Sequence, residues 1–265
     1  MDLQLDHVVH FLSDHPNKAI MEWQKLSYKA VMGGSHESWG TFNSLLYTST
    51  SYIEFLAVEN QTIAEQSDNP LIKQLITDLN NGNGIGQICF RTKDIVMLKE
   101  QLKNKGISTF PIFPGSRKRH DGSMIRWKML FIKEKASLPF PFFIEWEQMD
   151  EDRFKELKML GMTDKKLENH SVKSIFIACY NAIKTAKEWT RLFDFPMINK
   201  NLDVNFTTKS IVLQCGSLDL VFCETLSQEG VIHDTLQSRG ERPFFIQFQP
   251  MLFDKPISLF HSHYQ

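Results

Sequence analysis

A chain of 265 residues that is 42% hydrophobic and 23% charged is too apolar for disorder and long enough for one large domain or two smaller ones. A net charge of −1 supplies no global field for nucleic acid or an anionic membrane surface. The acidic start, MDLQLDH, has no apolar signal core, and no apolar run approaches the ~18 residues of a membrane span, so a cytoplasmic protein is expected.

In chain order, three segments run from a short apolar strand into an amphipathic helix. They begin at Leu5 (LDHVVHF), Ile85 (IGQICFR) and Val172 (VKSIFIACY). Their helix stripes, Ala19–Trp23–Leu26, Ile95–Leu98–Leu102 and Ala186–Trp189–Phe193, follow three- and four-residue spacing. Pro16 suits the first helix start, and Asp94 suits a cap on the second. Each helix is followed by strands that end in an apolar run: Tyr52–Glu59, Pro141–Glu147 and Leu218–Glu224. Each unit thus reads strand–helix–strand–strand, with an extra strand best supported in the second. The polar stretch from Gln61 to Leu79 reads as a helical connector, and residues 151–170 as a charged linker at the domain boundary. Glu241–Pro250 reads as one more strand, the start of a fourth unit that does not complete, and Leu259–Gln265 as a frayed end. The four cysteines are scattered through apolar runs, as reduced core thiols are.

Tandem βαβββ units resemble the vicinal oxygen chelate superfamily, which includes glyoxalase I, extradiol dioxygenases and bleomycin-resistance proteins. The chain is most similar to the glyoxalase-like domain family of bacterial proteins, through LDHVVHF, GGSHESWGTFNSLLY with YIEFLA, SRKRHDGSMIRWKMLF and PFPFFIEW. The resemblance implies an α+β fold of curved mixed sheets with helices on the outer face. It covers residues 1–150 as two modules, 1–60 and 84–148. Residues 171–265 then form a degenerate third module plus a terminal strand, completing the sheet or building a homodimer interface.

The resemblance further implies one metal ligand from the first strand and one from the closing strand of each module, here His7, Glu54, Gln87 and Glu145. Strand parity places all four away from the presumed helix side, because Ile53, Phe55 and Ala57, and again Phe142, Ile144 and Trp146, form apolar faces opposite the carboxylates. Such a set suits one divalent ion of the Zn, Ni, Fe, Mn or Co kind, with Glu54 and Glu145 as candidates for acid–base work. His10 falls on the opposite face from His7 and reads as structural. In the third unit, Ser174 and Leu220 stand at the ligand positions, so no metal pair is expected there.

A basic stretch supplies candidates for holding an anion: Arg117, Arg119 and Arg126, the last placed on the cavity side by the same parity rule. Asn43 is expected to face inward, and His36 and Glu37, in a loop after Gly33–Gly34, to line the mouth. The leading reading is a metal-assisted isomerase or lyase acting on a small anionic metabolite. One alternative is a protein that binds and sequesters a small molecule without turnover. Another is an enzyme that uses Glu145 and Arg126 without a metal.

Overall fold

The computed structural model describes residues 1–118, 124–199 and 208–265. The first unit is β1 (Gln4–Leu12), α1 (Asn17–Lys25), β2 (Val31–His36), β3 (Thr41–Tyr47) and β4 (Tyr52–Val58). A connector, α2 (Gln61–Gln66) and α3 (Pro70–Leu79), leads to the second unit: β5 (Gly84–Arg91), α4 (Ile95–Asn104), β6 (Phe113–Lys118), β7 (Met124–Leu130) and β8 (Phe142–Trp146). The stretch expected as a linker folds into α5 (Asp150–Met159). The third unit is β9 (Ser171–Cys179), α6 (Ala182–Phe193), β10 (Met197–Ile198), β11 (Thr208–Cys215) and β12 (Leu218–Thr225). After α7 (Val231–Arg239), β13 (Arg242–Gln249), β14 (Ile257–Leu259) and β15 (Ser262–Tyr264) make a fourth unit that has lost its helix.

Local sequence explains the helix starts. Asp94 accepts from the backbone N–H groups of Val96 and Met97, and Asn181 accepts from that of Lys184, so exposed donors of the first turn are satisfied. The apolar stripes are buried as their spacing requires: Ile95, Leu98 and Leu102 in α4, and Ala186, Trp189 and Phe193 in α6.

The first two units share one eight-stranded sheet, in order β2-β3-β4-β1-β5-β8-β7-β6. Within it β1 pairs parallel with β4 and antiparallel with β5, which joins the two units at its centre. The last two units form a seven-stranded sheet, β10-β11-β12-β9-β13-β15-β14, joined in the same way by β9 and β13. The helix-covered faces of both sheets meet in one core that holds Trp23, Phe55, Phe143, Trp189 and Phe222. Burying such large side chains at about 25 cal/mol per Å² of apolar surface is the main attraction between the halves.

The two remaining faces differ. In the second sheet, Ile232 and Leu236 of α7 pack onto Phe176, Val221 and Phe244, and that face is filled. In the first sheet, α3 covers only part of the face with Leu71, Ile72 and Leu75, leaving a cavity of about 1070 Å³ beside them. The C-terminal tail is not frayed: Tyr264 is fully buried and bonds the ring Nδ1 of His10, while the carbonyl of Phe260 lies 2.9 Å from Nε2. All four cysteines are free and buried. Among the described residues, no helix is long and apolar enough to cross a membrane.

Candidate functional site

The floor of the cavity is made where β1 and β4 run parallel. His7 registers with Tyr52 and Val9 with Glu54, so alternate residues of the two strands point to the same face. His7 Nε2 lies 3.3 Å from Oε2 of Glu54, and Asn43 on β3 donates from Nδ2 to Oε1 of the same carboxylate at 2.6 Å. A register shift between Leu5 and His7 brings Asp6 beside its neighbour, where Oδ1 accepts from His7 Nδ1 at 2.8 Å. Asp6 Oδ2 in turn accepts from Trp146 Nε1 at 2.9 Å and Arg153 Nη2 at 3.2 Å. The His7 ring stacks on Tyr52 at 4.6 Å and meets the edge of Phe142 at 5.5 Å. Two partners at the two ring nitrogens, and two rings at its faces, hold this imidazole in one orientation.

These contacts set the charges. Burial disfavours charge on Glu54, but the hydrogen bond and positive charge of His7, with His36 and Asn43, outweigh it and hold its carboxyl below the usual value. Burial raises the Asp6 carboxyl as well, and Arg153, His7 and Arg91 more than offset it, so Asp6 is ionised well below the usual carboxylate range. For His7, burial opposes protonation, yet the groups facing it raise its pKa well above 6.5. Cys89 is the largest of them, and the hydrogen bonds to Asp6 and Glu54 follow; burial pushes the Cys89 thiol up to about 12, so at neutral pH it is the two carboxylates that act on the ring. With Asp6 at 2.8 Å from one ring nitrogen and Glu54 at 3.3 Å from the other, His7 is held as an imidazolium between two carboxylates. His36, by contrast, is pushed down to about 4 by burial and stays neutral at pH 7.

The four expected metal ligands are not brought together. His7 and Glu54 share the cavity floor. Gln87 lies beneath α3, where its Nε2 donates to Gln74 at 2.9 Å and to the Phe140 carbonyl at 3.0 Å. Glu145 points the other way: Phe142, Ile144 and Trp146 line the cavity, and Glu145 accepts from the Ile95 N–H at 2.7 Å and from Lys128 at 2.6 Å. It anchors the first turn of α4, as Glu224 does for α6 by accepting from Ala182 at 3.0 Å. The pairing of β5 with β8 puts Cys89 opposite Phe142, as His7 is opposite Tyr52, so the second unit presents Cys89 and Ile144 where the first presents His7 and Glu54.

Asp6, His7 and Cys89 do place one donor atom each within 4.8 Å of one another. As a cation site they fit poorly. Both Asp6 oxygens are already engaged, a guanidinium sits 3.2 Å from one of them, and the thiol is neutral.

Of the residues expected to hold an anion, Arg117 and Asn43 line the cavity, and so does His36, which closes β2 rather than a loop. Arg126 does not: it is 58% exposed and lies 3.6 Å from Glu147, because Ile125, Trp127 and Met129 take the cavity side of β7. Arg119 lies outside the described residues. Glu37 stands exposed at the mouth. Inside, the charges of Asp6 and Glu54 balance those of His7 and Arg153, and Arg117 adds a further cation. Asp6 and Arg153 are participants that sequence reasoning did not single out. Asp6 had one signal, its place beside His7; Arg153 stands in a run of charge that reads as solvated.

A protein-family model described as Glyoxalase-like domain matches residues 5–193. No curated protein matches the sequence. A hypothetical protein from Staphylococcus aureus has a similar structure, with a TM-score of 0.78 and 23% identity, covering 99% of this chain and 98% of that one. A mutant of 4-hydroxymandelate synthase from Streptomyces coelicolor aligns with a TM-score of 0.59 and 10% identity, covering 92% of this chain and 70% of that one. At these identities the two likenesses speak to the fold.

Proposed function

The chain belongs to the glyoxalase-like domain family, and from that premise we propose that its cavity carries out proton transfer on a small anionic substrate, as an isomerase or lyase does. The observation that carries this reading is the contact of 3.3 Å between His7 Nε2 and Glu54 Oε2 on the cavity floor. Charge-assisted N–H···O bonds usually span about 2.7–2.9 Å, so this one is loose and open to displacement by a substrate oxygen. Asp6 keeps the ring in place when that happens.

The displacement activates both partners. The imidazolium of His7 turns its free N–H to the substrate oxygen, where negative charge will develop. Glu54 loses the partner that holds its pKa down and becomes a stronger base. It then takes a proton from the carbon beside the carbonyl: the C–H bond breaks, its electron pair moves toward the oxygen facing His7, and the proton resides on Oε2. Asn43 steadies the other carboxylate oxygen, and Arg117 holds the anionic end of the substrate.

The test is solvent exchange in heavy water, with a panel of small oxo and hydroxy carboxylates followed by proton NMR. Deuterium should enter at the carbon beside the carbonyl, and Glu54→Gln should slow entry by a factor of about 100 or more. A second reading, binding without turnover, draws support from the mostly aromatic and aliphatic cavity wall. It requires ligands that stabilise the fold yet never exchange, and that outcome would remove the proton-transfer proposal.

A further inference from the structure

The tryptophans are distributed unevenly. Trp39, Trp127 and Trp146, three of the chain's five, line the cavity, while Trp23 and Trp189 sit in the helix-covered core. Phenylalanine, of which the chain has 21, dominates the aromatic side of the core, and among the described residues Phe142 is the one phenylalanine that lines the cavity. The three indoles form one continuous wall, with centroids 6.2 Å apart between Trp39 and Trp127 and 5.5 Å between Trp127 and Trp146.

Gly115 shows how the middle ring is laid down. It is the cross-strand partner of Trp127 on β6, and an ideal Cβ there would fall 2.2 Å from Nε1 and 2.3 Å from Cε2 of the indole. The ring occupies the space a side chain would fill, so it lies along the sheet beside the cavity. An indole face is electron-rich and favours a flat partner, above all one whose ring carries an electron-withdrawing group. A cationic partner is disfavoured, because Asp6 and Glu54 are matched by His7 and Arg153, and Arg117 leaves the cavity with a net positive charge. The volume of about 1070 Å³ is at the upper end of sites that enclose drug-sized molecules and far exceeds what a three-carbon metabolite fills.

We infer that the substrate is an oxo or hydroxy carboxylate that carries a planar aromatic ring, the ring laid on the Trp127 indole and the carboxylate held by Arg117. This rests on the reading of the cavity as the reaction site and narrows its substrate class. A long-chain fatty acid also carries an anion on an apolar body, but it gains only buried area, not ring-to-ring contact.

Isothermal titration of the full chain tests the inference with naphthalene carboxylate, decanoate and naphthylmethylamine as probes. Naphthalene carboxylate should bind about tenfold more tightly than either of the others. Gly115→Ala, which displaces the indole, and Trp127→Leu, which keeps an apolar side chain, should each weaken it about tenfold while decanoate changes little. Equal or tighter binding of decanoate or of the amine, or no loss in Trp127→Leu, would overturn the inference. The two proposals fail separately. Aromatic binding without deuterium exchange removes proton transfer and leaves the ligand class standing; exchange in small oxo acids without aromatic binding does the reverse.

Discussion

At the scale of single residues, two histidines on one strand have opposite electrostatic fates. His7 gains two carboxylates and is held charged; His10, on the other face, is buried against Tyr264 and the Phe260 carbonyl and is pushed down to about 3. A pKa lower in the folded than the unfolded chain means the unfolded chain binds the extra proton first. The stability due to neutral His10 is therefore complete above about 6.5 and is lost as pH falls from there toward 3. Denaturant unfolding across that window should show stability declining with acid, and His10→Gln should flatten the slope as well as lowering the plateau. An unchanged slope would mean that His10 is not buried neutral. Alternation in the sequence separates these two residues correctly. It fails for Glu145 and Arg126 because alternation shows that a strand has two unlike faces, not which one a helix covers. On β7 and β8 the apolar face is the cavity wall. A repeat-based signal did exist: Glu145 has its counterpart in Glu224, which caps a helix, rather than in Glu54.

At the scale of elements, α5 carries the largest departure from what its composition suggests. Its sequence, DEDRFKELKM, has little apolar face of its own, and it is held down by tertiary contacts. Arg153 pairs with Asp6 and Asp150 and stacks on Trp146 at 4.5 Å, while Leu157, Leu160 and Met162 complete the cavity wall. Removing one member of a buried ion pair leaves the other without compensation, at a cost of about 3–5 kcal/mol. Arg153→Met should lower stability by that order and speed amide exchange along α5; amide protection equal to wild type would show that Arg153 does not hold the helix. Helices α1, α4 and α6 were legible because their apolar stripes are local, as are the Asp94 and Asn181 caps of the last two. The seat of α5 was not, because it depends on a single arginine meeting a strand well over a hundred residues earlier in the chain.

At the scale of the whole molecule, the repeat is used unequally. Both sheets have the same central pairing, yet α7 packs across the second one and α3 leaves the first partly open, so the cavity lies on the first sheet. The tail ties the two together, since β15 belongs to the second sheet and Tyr264 reaches His10 in the first. Tyr264→Ala should destabilise the whole chain by about 3–5 kcal/mol, as large-to-small changes of buried aromatics do, in one cooperative transition. Two separate transitions would show that the halves unfold independently. The modular repeat was readable from the sequence; the completion of the fourth unit was not, because its two short strands are held only by adding to the sheet edge, β15 to β13 and β14 to β15.

The central claim is that His7 is an imidazolium poised between Asp6 and Glu54, ready to face a substrate oxygen. Nitrogen NMR of the histidine rings across the neutral pH range reads this directly. Both nitrogens of His7 should remain protonated at neutral pH, and Glu54→Gln should lower its pKa. A His7 signal that reports a neutral tautomer at pH 7, with no response to Glu54→Gln, would contradict the account.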